Sequence, residues 1–298
     1  MTLLIANKDG LYADRRVIDK NYIVTSRSKI IPLHQSLGNP DQVGAIAFCG
    51  NMPATTNKTI SYGGVALCNL INAVHLFQSV EELEPFHDVF YGAIGVITHK
   101  LCLALAVEKT AAAVIVSKHH TFFLYDVDEV DTVQNTLDCS KSRKRETTYI
   151  HNPSEEIVYG SAEVCARIFL DHDLTVLDVY RKSGIIDNLI DGNNVDHVSR
   201  STLSDEVDFK QIATTLNVFL PGIEPSRKLI TGCDISPAIT TTYRKAMVAL
   251  DIATAMCNLG KPTVKTKKGI KAVKAAIIAQ QRNISQEDID NVVLNDVK

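Results

Sequence analysis

The sequence predicts an α+β fold built in layers, and three observations carry that prediction. Apolar residues fall in short strand-like blocks over residues 3–50, then recur at helical spacing over 63–77 and 87–109. Strand-like blocks return over 111–127, followed by a second helical pair and further strand. Elements that come in groups fit sheets covered by helix pairs on opposite outer faces better than the strict alternation of a parallel α/β sheet. The 298 residues, 45% hydrophobic and 22% charged, are sufficient to fill such a core.

Taken in order, Leu3 to Ala6 and Leu11 to Ala13 flank Asp9-Gly10, a dipeptide that favours a tight hairpin because glycine accepts positive φ cheaply. Tyr22 to Thr25 and Ile30 to Leu33 read as short strands, residues 37–42 (LGNPDQ) as a loop, and 43–50 (VGAIAFCG) as a buried strand. The helix over 63–77 places Val65, Leu67, Leu70, Ile71, Val74 and Phe77 on its apolar side. The helix over 87–109 carries alanines and glycines suited to close packing. Residues 111–117 and 121–127 are strands joined through Lys118-His119-His120, and the charged stretch 138–148 is a solvated loop. A strand over 155–160 leads to a helix that starts at Ser161, a residue suited to an N-cap. A further helix spans about Thr175 to Ile190, and residues 195–203 return to strand. The predicted division is 1–215 for the layered domain and 216–298 for a mainly helical C-terminal extension. That extension comprises Pro237 to Asn258, Lys267 to Gln281, and a last turn from Ser285 with Asp288 completing a cap.

Composition narrows the function. A net charge of −3 gives no global attraction to nucleic acid or anionic membrane. No uninterrupted run of 18 apolar residues points to a membrane span, and no secretory leader is expected, so the chain reads as cytoplasmic. The seven cysteines are scattered without CxxC spacing, and the nine histidines form no HExxH pattern. Neither a metal nor another cofactor is therefore expected, and His119-His120 reads as a hairpin turn. The lysine-rich stretch 261–274 reads as a solvated loop and helix face, since no interleaved aromatics accompany it.

Chemistry concentrates at the N-terminus. Thr2 follows Met1, and removal of Met1 would leave a hydroxyl nucleophile and a free α-amine on one residue. An unperturbed α-amine titrates near pH 7.7–8.0, close to the value wanted of a base at neutral pH. The pattern TLLIANKDGLYADRR, SRSKIIPL and VGAIAFCGN resembles the start of proteasome β-subunits and the related bacterial HslV peptidases, which are N-terminal nucleophile hydrolases. That resemblance implies a four-layer αββα sandwich, Thr2 as nucleophile, Asp14 and Lys29 as the charge pair that tunes it, and the Gly50 amide as an oxyanion donor. It extends more weakly to Ser161 in YGSAE as a supporting hydroxyl, and to Asp196 and Ser199 in DHVS beside the nucleophile.

Four departures accompany the resemblance. The hairpin is about two residues shorter on each arm, a symmetric change that keeps its register. Arg15 stands where the family often has a small residue and could compete with Lys29 for Asp14. The span from Lys29 to Gly50 is longer, and Arg200 and Ser201 replace the glycines expected after Ser199. Two readings follow from the resemblance. One is a threonine-type hydrolase of peptide or amide substrates, acting through an acyl-enzyme and working as a homo-oligomer, with a ring as one form. The other is a catalytically inactive relative that self-assembles.

Overall fold

The computed structural model describes residues 2–18, 24–36, 39–51, 58–125, 148–220, 237–260 and 263–280. Residues 22–23, 37–38, 138–147 and 261–262, and the turn expected from Ser285, lie outside these segments. The chain is mixed α/β with antiparallel sheets. Its residues group into two compact units. One comprises those within Met1–Gly64, Leu101–Glu129 and Glu146–Ser204, the other those within Val65–Lys100 and Asp205–Lys298.

The first unit contains two main sheets. Strands β1 (Leu3–Ala6) and β2 (Gly10–Asp14) form the N-terminal hairpin, flanked by β10 (Ile157–Gly160) and β11 (Val195–Ser199) in the order β10-β1-β2-β11. Strands β5 (Ile30–Ser36), β6 (Asn39–Gly50), β7 (Thr110–Ser117), β8 (Thr121–Tyr125) and β9 (Thr148–His151) form a five-stranded sheet in sequence order. A small ribbon pairs β3 (Arg16–Ile18) with β4 (Val24–Ser26).

Alternation along the strands sorts two cores. Leu4, Ala6, Leu11 and Ala13 meet Ile30, Ala45, Ala47, Ala112, Val114 and Val116 between the two sheets. Leu3, Ile5 and Val158, on the opposite face of the hairpin sheet, pack against Ala166 of α3 (Glu163–Asp171) and Val179 and Tyr180 of α4 (Val176–Ile186). Strands β6 and β7 are apolar on both faces, as a sheet covered on each side requires.

The hairpin turn differs from a bare Asp9-Gly10 turn. Asn7 accepts the Asp9 N–H at 2.9 Å and the Gly10 N–H at 3.3 Å through its side chain, so Asn7 organises the turn and Gly10 already belongs to β2. Residues 39–42, expected as loop, are strand: Ser36 pairs with Asn39 and His34 with Gln42, with register shifts on either side of His34. Pairing with β5 overrides the turn character of the Asn-Pro dipeptide. Residues 200–202, expected as strand, form a single 3₁₀ turn.

The second unit is helical. It holds the greater part of α1 (Lys58–Gln78) and of α2 (Asp88–Val107), with α5 (Phe209–Phe219), α6 (Pro237–Asn258) and α7 (Lys267–Gln280). Phe77 and Phe90 meet edge-on with ring centres 4.8 Å apart. Buried Asn69 accepts the Asp208 N–H at 2.8 Å, which anchors the start of α5. The expected division at residue 215 falls inside α5, and the compact units part after Ser204. Two helical stretches, Thr59–Gln78 and Asp88–Val107, are long and apolar enough to cross a membrane by length and composition, although polar residues such as Asn69, Asn72, His99 and Lys100 interrupt their apolar runs. Within the protein, 78% and 61% of these stretches are buried.

Candidate active site at Thr2

One end of the hairpin sheet gathers the chemistry. Leu3 pairs with Gly160, Leu4 with Ala13, and Asp14 with Val195, so Thr2, Asp14 and Ser161 all lie at that end. Thr2 and Asp14 are buried. The Asp14 carboxylate accepts two bonds from Lys29 Nζ, at 3.0 and 2.9 Å, and both side chains are almost wholly enclosed. It also accepts the Leu3 N–H at 2.9 Å and the Arg16 N–H at 3.1 Å. The carboxylate thus grips the peptide that follows Thr2 while neutralising Lys29. Removal from water pushes the Lys29 ammonium below the ordinary lysine range, and Asp14 opposes that fall by charge and hydrogen bonding.

The Thr2 carbonyl accepts the Ser161 N–H at 3.0 Å. Gly160 makes this approach possible: its φ is +131°, and a Cβ there would sit 1.8 Å from the Thr2 carbonyl oxygen. Ser161 was expected to cap α3, but Ala162 occupies the cap position without a side-chain bond. The Ser161 hydroxyl instead donates to Asp187 Oδ2 at 3.0 Å. Asp187 also accepts the Leu189 N–H at 2.9 Å, and Arg16 bonds the neighbouring Asn188 carbonyl.

Asp187 was not foreseen, because α4 was expected to run to Ile190. The helix stops at Ile186, and Asp187 leaves it with extended backbone, φ −112° and ψ 99°. The turn-forming residues Asp187, Asn188, Asp191, Gly192, Asn193 and Asn194 were the available signal for that earlier stop.

Asp196 and Ser199 are not brought to Thr2. Ser199 pairs with Gly10 at the far end of the hairpin, four residues along β2 from Asp14, or roughly 13 Å. Its hydroxyl meets the Asp9 carbonyl at 3.4 Å and Ser201 Oγ at 2.9 Å. Asp196 pairs with Ala13 in the sheet, and its carboxylate meets Arg15 at 3.4 Å. Arg15 is thereby directed to Asp196, and the Asp14 carboxylate is held by Lys29.

Gly50 closes β6 with φ +88° and is exposed; a Cβ there would lie 2.9 Å from the Ala111 nitrogen. The adjacent Cys49 is buried and feels the charges of Lys29 and Asp14, which places this strand end beside the ion pair. Burial pushes the Cys49 thiol up, while Lys29 and a hydrogen bond from the Gly50 N–H pull the other way.

Among the described residues no group of three His, Cys, Asp or Glu side chains could hold a metal ion. His119 and His120 border the β7–β8 turn, where Ser117 accepts the His120 N–H at 3.0 Å. A separate depression of about 440 Å³ in the helical unit, lined by Asp88, Tyr91, Gly92, Gly95, Thr242 and Lys245, contains none of the residues discussed above. No family model, no curated protein and no solved structure matches the chain.

Proposed function

We propose that residues 1–215 form a four-layer αββα hydrolase of the N-terminal nucleophile type, cleaving peptide or amide bonds through an acyl-enzyme on Thr2. The observation that carries this reading is the buried Lys29–Asp14 pair, whose carboxylate holds the peptide N–H directly after Thr2. A structural hairpin has little need of a charge pair at that point, since burying two ions costs more than burying apolar groups of the same size.

In this reading the Met1–Thr2 bond is cut and the freed amine serves as base. The Thr2 hydroxyl adds to the substrate carbonyl and the amine takes its proton. The amine then returns that proton to the leaving nitrogen as the C–N bond breaks, giving an ester on Thr2. Water repeats the sequence in reverse and releases the acid. The Lys29 ammonium next to the site favours the neutral amine. Gly50 supplies the N–H for the oxyanion, drawn from the Cys49 sulfur to the substrate. Ser161 and Asp187 form a hydroxyl–carboxylate relay at the Thr2 carbonyl.

An epoxyketone-type probe needs both a free amine and a hydroxyl, so it tests the reading directly. Once intact mass shows Thr2 as the first residue, labelling should occur and should vanish in Thr2→Ala. Asp187→Asn should slow it at least tenfold. Labelling that survives in Thr2→Ala, or none in the processed wild type, would sink the reading.

A second reading, a non-catalytic self-assembling protein, is favoured by one observation. Val164, Ile168, Ile185 and Ile186 expose half or more of their surface on the helix pair α3–α4. Mass photometry showing a strict monomer would count against assembly in either reading.

A further inference from the structure

Leu3, the residue after the proposed nucleophile, has both its backbone polar groups held by side chains. Its N–H donates to Asp14 Oδ1 at 2.9 Å, and its carbonyl accepts the Tyr180 hydroxyl at 2.9 Å. We propose that Tyr180 is a positioning residue for Thr2, fixing the second peptide plane of the nucleophile strand while Asp14 fixes the first. The inference rests on the hydrolase reading above and extends it to a residue on α4 that makes its contact one position beyond Thr2.

Tyr180 is fully buried, in a cluster formed by Leu3, Ile5, Val158, Ala166, Val179 and Ile190. For packing alone, phenylalanine would fill the same volume without a hydroxyl to desolvate. The hydroxyl is aimed at a carbonyl at the extreme end of a strand, where a chain ordinarily frays. With Thr2 O held by Ser161, Leu3 N by Asp14 and Leu3 O by Tyr180, three consecutive backbone groups are fixed by residues outside β1, two of them more than 150 residues away. A nucleophile misplaced by about 1 Å can lose on the order of a hundredfold in rate, so such restraint has a direct catalytic consequence.

Burial keeps the phenol protonated: it pushes Tyr180 well above the ordinary tyrosine range, the Asp14 charge adds to the shift, and a hydrogen bond from the Ile5 backbone opposes it. The hydroxyl is therefore a donor at every pH at which the protein would work.

The test uses the full chain, with Thr2 confirmed as its first residue, and compares Tyr180→Phe with Val179→Ala, a packing change in the same helix and cluster. With the epoxyketone probe, Tyr180→Phe should lower the maximal inactivation rate about five- to tenfold, the worth of one hydrogen bond, at unchanged probe affinity. Val179→Ala should change that rate less than twofold. Amide hydrogen exchange over residues 2–6 should quicken in Tyr180→Phe and not in Val179→Ala. Equal rates in wild type and Tyr180→Phe, or equal losses in both variants, would overturn the inference while leaving the hydrolase reading intact. If the wild type fails to label, that reading falls; unchanged exchange in Tyr180→Phe would then overturn the positioning role independently.

Discussion

The N-terminal hairpin has a buried cation at each end, and the two are held in opposite ways. At the Thr2 end, Lys29 lies against the carboxylate of Asp14, and burial lowers its affinity for its proton. At the turn end, buried Arg200 donates to the carbonyls of Asn7, Ser117 and His120 and to the Thr121 hydroxyl. Those acceptors come from the turns of both sheets, so the guanidinium fastens one sheet to the other. Arginine suits that task because its charge is permanent and its donors are fixed in a planar fork. Lysine suits the first because its proton can be tuned by its surroundings. The same hairpin therefore separates a clasp from a site.

The two ends should differ most in their response to the loss of Lys29. Lys29→Met leaves Asp14 buried without its partner, and should cost about 3–5 kcal/mol in urea unfolding and abolish probe labelling. Lys29→Met combined with Asp14→Leu should recover much of the stability and none of the labelling; recovered labelling would make the pair purely structural. A pH series adds a second reading of the same residue. In the unfolded chain Lys29 keeps its ordinary pKa of 10.5, whereas in the folded chain it releases its proton at lower pH. Between those two values the unfolded state binds more protons, so stability rises with pH. Wild type should accordingly gain stability relative to Lys29→Met as pH climbs towards 10.5, and a flat difference would show that burial does not lower this group.

Arg200→Met carries the next largest effect and should act on stability alone. Losing several bonds from a buried charged donor should cost about 2–3 kcal/mol, while labelling of the folded protein stays within twofold of wild type. A large loss of labelling at matched folded fraction would mean that the two ends are coupled.

What the sequence disclosed follows this division between local and distant causes. The hairpin, the buried strands β6 and β7 and the helix Pro237–Asn258 were legible because apolar runs and helical spacing are properties of neighbouring residues. The closeness of Asp14 to Lys29 was legible only through resemblance to a family, since a carboxylate and a lysine 15 residues apart carry no spacing signal of their own. Asp187, Tyr180 and Arg200 acquire their partners from elements far away in the chain, and nothing around them in sequence names those partners. DHVS misled because its Asp-x-x-Ser matches a motif, while β11 runs antiparallel to β2 and carries Ser199 towards the turn.

The smallest effect decides whether Arg15 is a rival to Lys29. Arg15 and Asp196 are both partly exposed, their charged atoms 3.4 Å apart, and an ion pair of that kind is worth about 0–1 kcal/mol. Asp196→Ala should therefore barely move stability. Its value lies in what it releases: an arginine one residue from Asp14, with its carboxylate partner removed. If Lys29 holds Asp14 because the geometry of two near-equal bonds is better, labelling of Asp196→Ala should match wild type. If Arg15 is kept from Asp14 by Asp196, the freed guanidinium should draw the carboxylate away from Lys29 and the Leu3 N–H, and labelling should fall. The double variant Arg15→Ala/Asp196→Ala separates the two, because it restores labelling only where Arg15 was the cause. In that case Asp196 serves the site from a distance, by occupying its competitor.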